Sequence, residues 1–366
     1  MAERFTLGIE EEFQLVHPET RELKSHIEEM LAAGAHLGDQ IKPELHQSVV
    51  EIGTPVCGDI KEARAAVTDL RRQLVGMAEQ SGARVVAAGT HPTSHWKDQH
   101  ITERTRYKDI VNEMEDLARA NLIFGLHVHV GIEDREMQVQ IMNGVRAFLP
   151  HLLALSVNSP FWCGRKTGVK SVRSTIFKRF PRTQIPDFYY SWDDYTKYVE
   201  LLVRTNCIDD GKKIWWDVRP HAYFKTLEFR ICDIPSRVEE TVAIAAFTQA
   251  LVAKLHRLCS ANLGVRQYHR AVIMENKFRA LKTGLDGRMI DFGLRQEAPT
   301  RGLVMEALDF VDDVVDELGS REEMRFLREW VAEGDTGADR QIRVYEATQD
   351  LRAVVDMLVE ETRRGL

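Results

Sequence analysis

Three segments far apart in the chain alternate apolar residues with acids or histidines, and this repeated two-residue period most limits the folds open to the sequence. In the first, Phe5, Leu7, Ile9 and Phe13 alternate with Gly8, Glu10, Glu12 and Gln14, while Glu11 interrupts the apolar side. In FGLHVHVGI (124–132), Leu126, Val128 and Val130 share one face and His127 and His129 the other. In TLEFRIC (226–232), Leu227, Phe229 and Ile231 stand opposite Glu228 and Arg230, and Pro235 ends the run. Strands with one apolar and one polar face predict a mostly antiparallel sheet that helices cover on one side, an α+β fold.

The connecting sequence supplies those helices. Residues 24–37 read as helical, and Glu44–Ile52 reads as one extended run closed by Gly53 and Pro55. Asp59 caps a helix carrying Val67, Leu70, Leu74 and Met77 as far as Gly82, and Arg84–Ala88 is a short strand. One helix is predicted over 104–119 and another near 137–157, followed by a basic loop over 163–187. Ser236 with Glu239 reads as a capping box for a helix through Val242, Leu251, Leu255 and Leu258. From about 303 the chain is largely helical: one stretch closes at Gly319, Ser320 with Glu323 opens the next, and a final helix runs near 340–363. At roughly 150 residues per domain, 366 residues allow two domains. No repeat or Pro/Gly/Ser linker divides them, so a single domain over 1–366 is expected.

A net charge of −7 without a long basic run argues against a nucleic-acid partner. No run approaches ~18 uncharged apolar residues, and the first residues lack a secretion signal, so the expectation is a cytoplasmic protein with no membrane partner. Five scattered cysteines without C-x-x-C suit reduced thiols rather than a disulfide frame or zinc knuckle.

The polar strand faces carry the chemistry. A solvated strand face is ordinary in an antiparallel sheet, but strands are depleted in Glu. Carboxylates two residues apart on one strand lie ~6.6 Å from each other and repel by roughly 2.5 kcal/mol at an effective dielectric of about 20. If Glu10, Glu12, Glu51, Glu228 and Glu44 converge, they need cations, and oxygen donors favour Mg²⁺ or Mn²⁺, with zinc the runner-up. His127 and His129 alone are a weak zinc or iron pair. The spacing of seven between Glu44 and Glu51 requires a bend or bulge if both face one site. Arg230 would point at the same site as Glu228, and Arg173, Arg179 and Arg182 in the basic loop could capture phosphate or carboxylate. Without a Walker-type loop or G-x-G-x-x-G, a nucleotide would have to be held through metals and arginines.

At these residues the chain resembles the glutamate–cysteine ligase family, in its bacterial type-2 or carboxylate–amine ligase branch. The segments that carry the resemblance are GIEEEF (8–13), PELHQSVVEIGTPV (43–56), AAGTHP (87–92), FGLHVHVGI, NSPFWCG (158–164), TLEFRICD (226–233) and ENKFRALKTGLDG (275–287). The resemblance implies a glutamine-synthetase-like curved sheet whose concave face holds metals that bridge ATP to an acidic substrate. Glu10, Glu51 and Glu44 would surround one metal, and Glu12, His127 and Glu228 would hold another on the ATP phosphates. Arg230 would contact the nucleotide phosphates, and Arg173 the transferred phosphoryl group or the substrate carboxylate. Asn276 and Arg279 match the branch without an assigned role. The reaction implied is ATP-dependent ligation of glutamate or a similar acid to an amine through an acyl phosphate, in a protein that self-associates. A guanidino-kinase-like phosphotransferase and a non-catalytic metal- or nucleotide-binding protein are the alternatives.

Overall fold

A computed structural model describes residues 4–33 and 40–366. Its principal sheet has seven antiparallel strands: β1 (Leu7–Val16), β2 (Ile41–Pro43), β3 (Val49–Gly53), β4 (Arg84–Val86), β5 (Gly125–Gly131), β6 (Val218–Pro220) and β7 (Thr226–Asp233). Their order is β6-β7-β5-β1-β3-β2, with β4 pairing along the C-terminal end of β1. The three alternating segments of the sequence are therefore adjacent central strands, β7, β5 and β1.

The apolar faces of these strands pack against the helices Ile60–Gln80, Leu149–Ser156 and Val238–Ser260, and Arg321–Glu333 packs outside the last of these. Val238–Ser260 is long and apolar enough to cross a membrane, which the sequence reading did not anticipate, but most of its length is buried between the sheet and other helices. Glu11, the interruption in β1, faces this layer. Its carboxylate accepts from Arg71 Nε at 2.7 Å and from Thr241 Oγ1 at 2.6 Å, and both charged side chains are fully buried.

Several boundaries differ from the sequence reading. Glu44–Ile52 is not one strand: β2 ends at Pro43, the chain turns, and β3 begins at Val49. The predicted helix over 104–119 breaks at Glu115, whose φ of 45° ends Thr105–Met114 before a short turn over Asp116–Arg119. The 137–157 stretch is two helices, Arg135–Val145 and Leu149–Ser156, joined by a 3₁₀ turn. The basic loop contains a helix, Val172–Phe177, capped by Ser171. The long helix begins one residue later than read, with Glu240 accepting from the Arg237 backbone N–H; Ser236 instead hydrogen-bonds Ala87 O and Asn158 Nδ2. The final stretch is two helices, Gly337–Thr348 and Leu351–Arg363, divided at Gln349. Of the predicted 24–37 helix, Ile27–Ala33 is helical and 34–39 lie outside the described residues.

Candidate functional site

The register of the sheet assembles the polar residues. Glu10 on β1 is paired with His127 on β5, and Glu12 with Glu51 on β3. His129 on β5 is paired with Glu228 on β7, which in turn faces Arg219 on β6. Five strands thus contribute to one polar row, because alternation puts every second residue on the same face.

Above this row lies a cavity of ≈ 650 Å³, and the eight residues to which the resemblance gives a role line it: Glu10, Glu12, Glu44, Glu51, His127, Arg173, Glu228 and Arg230, with His129 beside them. The turn between β2 and β3 is what allows Glu44 and Glu51 to share it. Of the basic-loop residues, Arg179 and Arg182 do not line the cavity; Arg182 lies over Trp215 and donates to Lys213 O.

The electrostatics divide the acids into two kinds. Burial pushes Glu10 and Glu228 upward, but their partners prevail and hold both carboxyls well below the usual range. For Glu10 these are the two imidazoles beside it, His127, whose Nδ1 is at hydrogen-bond distance, 3.2 Å, and His129, whose Nε2 stands at 3.6 Å. For Glu228 they are Arg219, whose Nε donates at 2.8 Å, and Arg230, in direct contact. The other acids lack such cover. Burial and Glu44 raise the Glu12 carboxyl to about 7, against the opposing pull of Arg173, the Gly125 N–H and Arg230. Burial and repulsion from Glu10, Glu44 and Glu12 push Glu51 well above the usual range, and burial raises Glu44.

Such crowding suits a divalent cation. Donor atoms of Glu10, His129 and Glu228 lie within 4.8 Å of one another. Nε2 of His129 is buried without a hydrogen-bond partner, 3.6 Å from Glu10 Oε1, while Nδ1 is engaged by Thr226 Oγ1. An imidazole anchored through one nitrogen and open at the other, between two carboxylates, has the arrangement of a metal ligand. This grouping shares Glu228 with the set the resemblance implies, Glu12, His127 and Glu228, and all five residues line the same cavity.

The two arginines are set by an irregularity in β7. The register shifts between Phe229 and Cys232, leaving Arg230 and Ile231 as a bulge. Their carbonyls accept from Arg173 Nη2 and Nη1, each at 3.3 Å. Arg173 is 3% exposed, and the Nε atoms of both arginines are buried without partners. Gly125 gives Arg173 room, since a Cβ there would come within 2.3 Å of Nη2. The sequence reading missed Arg219, whose three-residue strand ends in Pro220 and is too short to show a period.

Asn276 and Arg279 lie away from the cavity. Asn276 exchanges two hydrogen bonds with Ile290, and Arg279 pairs with Glu297.

The model of glutamate–cysteine ligase family 2 matches residues 6–357. A Solibacter usitatus protein provisionally named glutamate–cysteine ligase 2 is 56% identical over 363 residues, covering 99% of this chain and 94% of the relative. A Roseiflexus protein of the same provisional name is also 56% identical, covering 99% and 96%. Among solved structures, glutamate–cysteine ligase from Francisella tularensis in complex with AMP superposes with a TM-score of 0.71 at 12% identity, over 99% of this chain and 90% of that one. A bifunctional glutathione synthetase from Pasteurella multocida gives 0.66 at 13% identity, over 98% of this chain and 51% of that one. The sheet, its helical backing and the match along almost the whole chain agree, and the chain belongs to glutamate–cysteine ligase family 2.

Proposed function

We propose that this protein is an ATP-dependent carboxylate–amine ligase acting on glutamate or a similar small acid. The observation that carries this reading is the meeting, in one cavity, of mutually repelling carboxylates, Glu51 buried and Glu10, Glu12 and Glu44 half-buried, with the buried Arg173 and the partly buried Arg230, each of which keeps a buried, unpartnered Nε. That combination is complementary to a polyphosphate chelated by divalent cations. The AMP complex of the structurally similar Francisella ligase is consistent with a nucleotide on this fold.

In this reading Glu10, His129 and Glu228, with His127 beside them, hold one cation, and Glu12, Glu44 and Glu51 hold another. Bound Mg²⁺ or Mn²⁺ supplies charge neutralisation for the phosphate oxygens. Arg230, tethered by Glu228, meets the nucleotide phosphates, and Arg173 meets the transferred phosphoryl group or the acid. Arg219 keeps Glu228 ionised and oriented. The acid carboxylate attacks the γ-phosphorus to give an acyl phosphate and ADP, and the amine then displaces inorganic phosphate. Phosphoryl transfer asks a protein chiefly for positioning and charge neutralisation, so no side-chain nucleophile is required.

The test is ADP and phosphate release by purified protein with Mg²⁺–ATP, across glutamate and related acids and a panel of amines, with product masses determined. The expected result is ADP formation that needs both acid and amine and yields an amide mass. A phosphorylated guanidine would show a kinase instead. No turnover together with no nucleotide binding would overturn the reading.

A further inference from the structure

The segment ENKFRALKTGLDG has one residue that faces the site from behind. On the Arg270–Thr283 helix, Asn276 and Arg279 are engaged with the Arg288–Asp291 and Gln296–Pro299 hairpin, whereas Lys277 points elsewhere. Its Nζ, almost fully buried, donates to both carboxylate oxygens of Asp217, at 2.9 and 2.7 Å, and to Gln184 Oε1 at 3.0 Å. Asp217 immediately precedes β6, and its backbone carbonyl accepts from the Arg230 N–H at 2.8 Å. Arg230 opens the bulge whose two carbonyls grip Arg173. A continuous line of contacts therefore runs from Lys277 through Asp217 to the backbone of Arg230 and on to the guanidinium of Arg173.

A bulge is where the sheet's own ladder stops fixing the chain. Here the ladder is interrupted only on the β5 side, while the Arg230 N–H bonds Asp217 O one step beyond the Val218–Phe229 pair of β6 and β7, so Asp217 locates the bulge from its other edge. The helix does not need Lys277 for docking, since Asn276 clamps the hairpin and Arg270 Nε donates to Ile185 O at 2.6 Å. A buried ion pair adds little net stability over an apolar pair of similar volume, but its hydrogen bonds are directional and fix a position.

We propose that Lys277 is a positioning residue: through Asp217 it holds the bulge that aims Arg173 and Arg230 together at the phosphoryl group. The inference rests on the ligase reading above and goes beyond it by placing a determinant of turnover outside the cavity.

The test removes the tie without leaving an orphan charge, by combining Asp217→Asn with Lys277→Met. The double variant is expected to remain folded by circular dichroism. Its kcat should fall about 30-fold or more while KM for ATP changes by less than about threefold, because an ångström of misplacement costs turnover more than binding. Lys277→Arg, which restores a cation and donors, should recover much of kcat. Hydrogen exchange at the Arg230 amide should be faster in the double variant than in the wild type. A folded double variant with wild-type kcat and unchanged exchange overturns the proposal. Should the double variant not fold, Lys277→Gln gives the same comparison with the same outcomes. Absence of acid- and amine-dependent ADP formation in the wild type is a different failure: it rejects the ligase reading, and the exchange measurement still judges the tie between Lys277 and the bulge.

Discussion

Three consecutive glutamates in β1 have two opposite fates. Glu10 and Glu12 face the cavity, while Glu11 is buried among helices and neutralised by Arg71. Arg71 also donates to the carbonyls of Ser236 and Pro235, so the pair ties β1 to the Ile60–Gln80 helix and to the start of the long Val238–Ser260 helix. Removing one partner of such a pair leaves the other charge buried alone. Glu11→Ala is therefore expected to destabilise the fold by about 3–5 kcal/mol, read as a lower midpoint in urea denaturation. Replacing both residues, as Glu11→Leu with Arg71→Met, should recover most of that loss; a double variant no more stable than the single one contradicts this account. The break in alternation was legible in the sequence. Its partner was not, because Arg71 lies sixty residues on and no local pattern marks a buried arginine.

At the scale of elements, sequence alternation predicted the central strands well, since a two-residue period with one apolar face has few other solutions. The same periodicity put Glu10 with Glu12, His127 with His129, and Glu228 with Arg230 on polar strand faces, because alternate residues of a strand point the same way, whereas it gave no such mark to Glu44, Glu51 or Arg173. The pattern could not show where strands end or slip. The turn that separates β2 from β3 lies in a polar stretch without a Gly–Asn or Gly–Asp signal, and the bulge at Arg230 has no glycine to announce it. The start of β5 carries a sharper test. Gly125 donates its N–H to Glu12 Oε2 at 2.6 Å and leaves space for the Arg173 guanidinium. Gly125→Ala should displace that guanidinium, lowering kcat by about tenfold or more with a small loss of stability; unchanged turnover would show that Arg173 can move without consequence. The C-terminal helices give a test of opposite signs. Gln349 adopts a left-handed conformation, φ 54°, and Asp350 caps the next helix by accepting from the Arg352 N–H at 2.8 Å. Asp350 preceding an apolar run was the available signal for this break. Asp350→Ala should cost about 1 kcal/mol, and Gln349→Gly should add up to about 1 kcal/mol, both measured by chemical denaturation.

For the whole molecule, buried ionisable groups pull stability in opposing directions with pH. Burial lowers His46, His91 and His151 to about 4, so between roughly 6.5 and 4 the unfolded chain binds protons that the fold refuses, and stability falls as pH falls through that window. Beside burial, His91 shows a second obstacle to protonation: Nδ1 accepts from the N–H groups of Thr93 and Ser94, and a proton there would break both bonds. The raised acids act the other way. Glu12, at about 7, and Glu51 stay protonated in the fold after the unfolded chain has ionised near 4.3, so their contribution is lost as pH rises through the folded values. The metal-free protein should therefore be most stable near a pH of about 6. A divalent cation among Glu12, Glu44 and Glu51 would offset only the alkaline loss, because it would stabilise ionised carboxylates and leave the distant histidines untouched. The rise in melting temperature on adding Mg²⁺ is accordingly expected to be small at pH 5.5 and to grow by pH 8. Glu51→Gln should raise the metal-free melting temperature at pH 8, since it deletes the most crowded charge, and should shrink the Mg²⁺ increment. An increment independent of pH, or one that Glu51→Gln leaves intact, would mean that these carboxylates do not share a cation, and the charge argument for the cavity would have to rest on Arg173 and Arg230 alone.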